Sequence, residues 1–178
     1  METSKLMGGG VGHAPGYLND REWLIRDTIG RATIFLDDQN WYKWLDLCTE
    51  DFQYSIRSWS PEIRYDMTYL QAGKKDLVNL IRLLPKHNTD NSPLSRHTVV
   101  CSVDIDPSGE TAQAVSSMVV FQHLLDGTNS HIDSGESRLF LVGKYYDTFR
   151  FEEGNAQFLT REVRLQNRRL DKGSHWPI

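Results

Sequence analysis

Apolar positions recur every third or fourth residue in the first part of the chain and every second residue later on. In LNDREWLIRDTIGRATIFLDD, Ile25, Ile29, Ala32 and Leu36 fall on one stripe, which predicts an amphipathic helix. Asn19 stands three residues before Glu22, the spacing of a capping box, and is the expected N-cap. Trp41, Trp44, Leu45 and Cys48 follow at helical intervals and predict a second, shorter helix that Asp38 is placed to cap. A third is predicted in KKDLVNLIRLLPK, with Leu77, Leu80, Ile81 and Leu84 inward and Pro85 as its stop.

Between the second and third helices, DFQYSIRSW alternates, with Phe52, Tyr54 and Ile56 on one face and Gln53 and Arg57 on the other. The later part of the chain predicts longer strands. TVVCSVDI puts Val99, Cys101, Val103 and Ile105 on one apolar face and ends in the turn signal DPSG. AVSSMVVFQHL follows and ends near Asp126 and Gly127. SRLFLVGKYYDTFRF then runs through the hairpin signal EEGN into QFLTREVRLQN. Helices first and a meander of strands second define an α+β class, with a curved antiparallel sheet wrapped around the N-terminal helices. Such a sheet encloses a cone-shaped hollow, which side chains either fill or line as a pocket.

Composition narrows the function classes. The chain has 178 residues and a net charge of −4, so one domain over 17–178 is expected, preceded by a flexible glycine-rich arm over 1–16. The acidic balance points away from nucleic acid and anionic membranes as partners. No apolar run is long enough for a membrane span, and no apolar signal core opens the chain, so a cytoplasmic location is expected. Cys48 and Cys101 form no framework; both lie on predicted apolar faces and are expected as buried, inert thiols.

Metal chemistry finds little support in the spacing. His13, His87, His97, His123, His131 and His175 are scattered, with no H-x-x-x-H pair and no C-x-H or C-x-x-H. A zinc or Rieske site is therefore not expected in this chain, although two histidines and a carboxylate from distant positions would suffice for a facial triad. GGGVG is not set between a strand and a helix, so it is no nucleotide loop.

Two readings remain for the acids and bases. Asp37, Tyr54 and His97 converging in the hollow would supply a carboxylate, a phenol and an imidazole for general acid–base work. Alternatively they are structural: Asp37 bonds backbone N–H groups at a helix end, Tyr54 fills the core, and Arg96 with His97 anchors strands or a partner chain. The run REVRLQNRRLDK reads as a strand edge facing solvent or a partner. Trp23, Trp41, Trp44, Trp59, Tyr145, Tyr146 and Phe149 exceed the needs of a minimal core and suit an interface.

FLDDQNWYKWLDLCTEDFQY, with Asp37, Asp38, Trp44, Leu47, Glu50, Asp51 and Tyr54, resembles the opening of the small (beta) subunits of Rieske-type aromatic-ring-hydroxylating oxygenases. YDMTYLQAGKKDLVNLIRLL resembles their Asp-containing loop and following Leu/Arg helix, and SPLSRHTVVCSVDI their Ser-Arg-His strand start. SSMVVFQ and LFLVGKYYDTFRFEEGNAQFLTREVRLQ resemble the last strands. The resemblance covers about residues 18 to 170. It implies a nuclear-transport-factor-2-like (cystatin-like) cone and a subunit without a catalytic or metal site. The partner is then a large (alpha) subunit that holds the Rieske [2Fe-2S] cluster and mononuclear iron, with beta trimers in an α3β3 hexamer. It also implies assembly or structural roles for Arg96, His97 and Asp51. MGGGVGHAPG, DKGSHWPI and the Cys101 found where an Asn is common depart from the pattern, so arenes, aromatic acids and alkanesulfonates all stand as substrate classes. Scytalone dehydratase, in the same superfamily, is the alternative: LDDQNW aligns Asp37 with its catalytic Asp, but Leu36 stands in place of its Tyr.

Overall fold

The computed structural model of the chain describes residues 17–87, 91–125, 135–167 and 177–178. The expected arm and the turn expected near Asp126 and Gly127 lie outside these residues. Helices α1 (Tyr17–Asp37), α2 (Trp41–Asp46) and α3 (Lys74–His87) accompany strands β1 (Cys48–Ser60), β2 (Tyr65–Gly73), β3 (Leu94–Ile105), β4 (Thr111–His123), β5 (Ser137–Glu152) and β6 (Asn155–Leu165). The six strands form one curved, unclosed sheet in the order β2-β1-β6-β5-β4-β3. Its inner face holds α1 through Ile25, Ile29, Ala32 and Leu36, all at most 2% exposed.

Direction of pairing was not legible in the periodicity. Four of the five strand pairings are antiparallel, but β1 runs parallel to β6, so the sheet is mixed rather than wholly antiparallel. β2, expected as a loop, is an edge strand. Most of its residues stay exposed or half-buried, and so it carries no period-2 apolar signal. Conversely β6, expected at an edge, lies between β1 and β5 in the sheet interior.

Local chemistry explains the remaining differences. α1 begins at Tyr17, so Asn19 stands within its first turn rather than capping it; the Asn19 side chain lies outside the described residues. α2 is preceded by Asn40, not Asp38, and the Asn40 side chain makes no capping bond. Pro85 sits inside α3, which continues to His87, because a proline in the last turn removes a single backbone bond. On β3 the register shifts between Val100 and Ser102. That bulge reverses the facing of the strand: Arg96 is buried before it, Val103 and Ile105 pack on the core after it, and Val99 and Cys101 face outward. Cys101 is therefore exposed, not buried. The β5–β6 hairpin closes through Glu153 and Gly154, both at positive φ (50° and 81°), the type I′ geometry that matches strand twist.

Candidate functional site

Asp37 closes α1. The helix ends in a Schellman motif: Asn40 N–H donates to Phe35 O at 2.7 Å, Gln39 N–H to Leu36 O at 3.3 Å, and Gln39 adopts φ 55°. A carboxylate is unfavourable at this negative end of the helix dipole and needs a cation. Arg96 on β3 supplies it, donating from Nη1 to Asp37 Oδ1 at 2.6 Å and from its backbone N–H to both carboxylate oxygens at 3.0 and 3.1 Å. The Arg96 side chain is 1% exposed and that of Asp37 25%.

Deeper in the hollow, Arg96 Nη2 donates to Pro177 O at 2.9 Å. The N–H of the same peptide group, on Ile178, donates to Tyr54 Oη at 2.8 Å, and Tyr54 O–H donates to Ile178 O at 3.0 Å. Arg96 and Tyr54 thus grip one peptide group from its two edges. Ile178 is wholly buried, and its side chain joins the core. Burial pushes the Tyr54 phenol well above its usual range, opposed by its bond with Ile178. Trp44 meets Phe52 and Tyr54 edge-on at 6.1 and 5.9 Å, which fixes α2 against β1.

Below this lies a charge pair that sequence reading missed. Arg161 on β6 donates from Nε and Nη2 to the two oxygens of Asp147 on β5, both at 2.8 Å. Its guanidinium also lies over the Tyr145 and Phe158 rings, at 4.2 and 4.4 Å. Burial pushes the Asp147 carboxyl up, against the pull of Arg161. Burial also works against the Arg161 charge, and the Asp147 carboxylate overcomes it and holds the guanidinium above its ordinary value. A signal existed: Asp147 is in phase with Tyr145 and Phe149, and Arg161 with Val163 and Leu165. These are opposite charges on two buried faces.

The structure brings Asp37, Arg96 and Tyr54 into one network and leaves His97 apart. His97 alternates with Arg96 on β3, is exposed, and meets Phe121 edge-on at 5.6 Å. It lines a groove of about 430 Å³ between α1 and β3, together with Arg26, Gly30, Thr33 and Thr98. Asp51 lies at the surface, where it accepts from Arg150 Nη1 and Nη2 at 3.1 and 2.9 Å. That bond draws its carboxyl down to about 2. Among the described residues, no group of three or more His, Cys, Asp or Glu is arranged to hold a metal ion. His13, His131, His175 and the His87 side chain lie outside the described residues. Cys48 is in the core and Cys101 on the outer face of an edge strand, so the two cannot ligate one cluster.

A curved sheet around an N-terminal helix, with its hollow closed by core side chains and by Ile178, defines an α+β cone of the nuclear-transport-factor-2 type. The chain belongs to the SnoaL-like domain family, whose pattern matches residues 17–162, and within it to the oxygenase beta subunits. It is 62% identical over 176 residues to the methanesulfonate monooxygenase hydroxylase subunit beta of Methylosulfonomonas methylovora, covering 99% of this chain and 96% of that one. It is 28% identical over 145 residues to the 2-aminobenzenesulfonate 2,3-dioxygenase subunit beta of Alcaligenes sp, covering 80% and 89%. Among solved structures, an NTF2-like protein with a cystatin-like fold from Novosphingobium aromaticivorans superposes with a TM-score of 0.62 at 21% identity, covering 85% and 86%.

Proposed function

We propose that this chain is the non-catalytic beta subunit of the hydroxylase component of a multicomponent oxygenase, and that the enzyme it serves oxidises a short alkanesulfonate of the methanesulfonate class. The observation that carries the non-catalytic role is the closed hollow. Tyr54, the buried phenol that an acid–base enzyme would need free, is bonded on both sides by Ile178. His97 faces the other side of the sheet from Arg96, so the dehydratase constellation of Asp37, Tyr54 and His97 is not assembled.

The 62% identity to a hydroxylase subunit beta, over nearly the whole of both chains, supports a large alpha subunit as the partner; an α3β3 stoichiometry with beta trimers and a cytoplasmic location complete the proposal. The Rieske [2Fe-2S] cluster and mononuclear iron belong to that subunit in this reading, since Cys48 and Cys101 do not fit a cluster. Exposed Trp23, Trp59, Tyr42 and Tyr65 supply aromatic anchors of the kind that interfaces use.

Co-expression with a hydroxylase large (alpha) subunit of the methanesulfonate monooxygenase type tests this. The expected result is a co-purifying complex whose light-scattering mass fits α3β3. It should oxidise methanesulfonate only when the iron-bearing chain is present. A lone, metal-free preparation of this chain that converts a small molecule, and loses that activity in Asp37→Asn, overturns the reading.

A further inference from the structure

Among the described residues, the two buried arginines differ in one respect. Arg161 uses the Nε/Nη2 edge of its guanidinium in full, with both oxygens of the Asp147 carboxylate on it. Arg96 directs its Nη2 to the single carbonyl oxygen of Pro177, while its Nε is buried and has no partner. That edge is a fork built for two oxygens of one oxyanion, and here it is half occupied. Its neighbours are also donors. Tyr54 Oη lies across the same peptide group. On the inner face of the sheet, Ser116 and Tyr145 stand opposite each other on β4 and β5, 0% and 1% exposed, and neither hydroxyl has a partner. Tyr145 and Tyr54 both lie within electrostatic reach of Arg96 and Arg161. Buried polar groups in native proteins are almost always bonded, so a cluster of unused ones marks a place built to hold something polar.

We infer that the hollow is a binding site for a small monovalent oxyanion, a carboxylate or a sulfonate, in which the Pro177–Ile178 peptide group is a built-in competitor. Arg96 receives two oxygens on Nε and Nη2, Tyr54 donates the hydroxyl that now holds Ile178 O, and Tyr145, within electrostatic reach of Arg96, turns its O–H group to the remaining acceptor. The carboxylates facing the site are already engaged: Asp37 takes the opposite Nη1 corner of Arg96, and Asp147 is matched by Arg161. The excess of donors over acceptors, rather than net positive charge, selects an acceptor-rich ligand of low charge. Occupancy is then coupled to release of the peptide, so the ligand changes where Pro177 and Ile178 sit. This goes beyond the subunit role and stands whether or not the alpha subunit is bound.

Titration of the purified chain with sodium methanesulfonate and sodium acetate, against sodium chloride at equal ionic strength, tests the site by calorimetry and by thermal shift. A variant lacking Pro177 and Ile178 is expected to show saturable binding of at least one probe. The full chain binds roughly tenfold more weakly, because the peptide must first leave. Arg96→Lys in the shortened variant keeps the charge but not the fork, and is expected to abolish binding. Should the shortened variant fail to fold, Ile178→Gly in the full chain weakens the hold of the peptide and is expected to bind more tightly than the parent. Failure of both probes to exceed chloride in the folded variant, or binding that persists unchanged in Arg96→Lys, overturns the inference.

Discussion

Arg161 and Asp147, fourteen residues apart in sequence and adjacent across β5 and β6, form a bidentate ion pair with side chains 2% and 0% exposed. Removing one member leaves a charge stranded in the core, at a cost of roughly 3–5 kcal/mol. Asp147→Ala is therefore expected to lose most of the stability of the isolated chain in urea unfolding. Asp147→Leu combined with Arg161→Met removes both charges and is expected to be more stable than either single variant. Equal or additive losses in the double variant would show that the charges are not coupled.

Asp37 and Arg96 form a second, less enclosed pair. Asp37→Asn leaves Arg96 without its counter-charge; because water reaches a quarter of the carboxylate, the loss belongs at the lower end of the range for buried pairs, about 3 kcal/mol. The assembled oxygenase is expected to retain near-normal turnover per iron. A stable, fully assembled complex with turnover abolished would instead place Asp37 in the chemistry.

The two thiols should separate cleanly. Burial pushes the Cys48 thiol up to about 12, while Cys101 stands exposed at the β3 bulge. Reactivity follows the accessible thiolate. Iodoacetamide at pH 8 on the native isolated chain is expected to label Cys101 and spare Cys48, read by peptide mass spectrometry. Labelling of both in folded protein would contradict the packing of Cys48.

Asp51 gives the chain an acid-sensitive surface contact. Its carboxyl is drawn down to about 2 in the folded chain, from about 3.9 when unfolded, chiefly by the hydrogen bond from Arg150. A depressed folded value means that the contribution is complete above about pH 4 and is lost as pH falls through about 2. Asp51→Asn is expected to flatten the stability–pH slope in that window and nowhere above it, and the difference should shrink in salt. A difference that persists undiminished at high salt would rule out the ion pair as its source.

Gly143 on β5 has no room for a side chain. A Cβ there would stand 2.5 Å from Arg164 O and 3.0 Å from Met118 Cε. The backbone oxygen cannot yield without opening the β5–β6 ladder, so Gly143→Ala is expected to cost about 1–3 kcal/mol as overpacking. Wild-type stability in that variant would mean the sheet relaxes freely at this position.

Alternation and helical spacing decided which side chains turn inward. Phe52, Tyr54 and Ile56 on β1 and the Ile25-to-Leu36 stripe on α1 were legible, because each depends on a local repeat of the backbone. The same logic failed at Cys101, where one extra residue in the β3 ladder reverses the face, and at β2, whose pairing rests on backbone hydrogen bonds that no side-chain pattern records. Asp37, Tyr54 and Arg96 could be singled out by type and place, but not their partners. Those are set by contacts spanning 59 residues from Asp37 to Arg96, 81 from Arg96 to Pro177 and 124 from Tyr54 to Ile178. His97 parts from them because a strand turns neighbouring side chains to opposite faces, and the fold decides which of those faces looks into the cone. Whether the hollow was a pocket or a core could not be read from any local pattern; it turns on Pro177 and Ile178, which occupy the cone through contacts 81 residues beyond Arg96 and 124 beyond Tyr54.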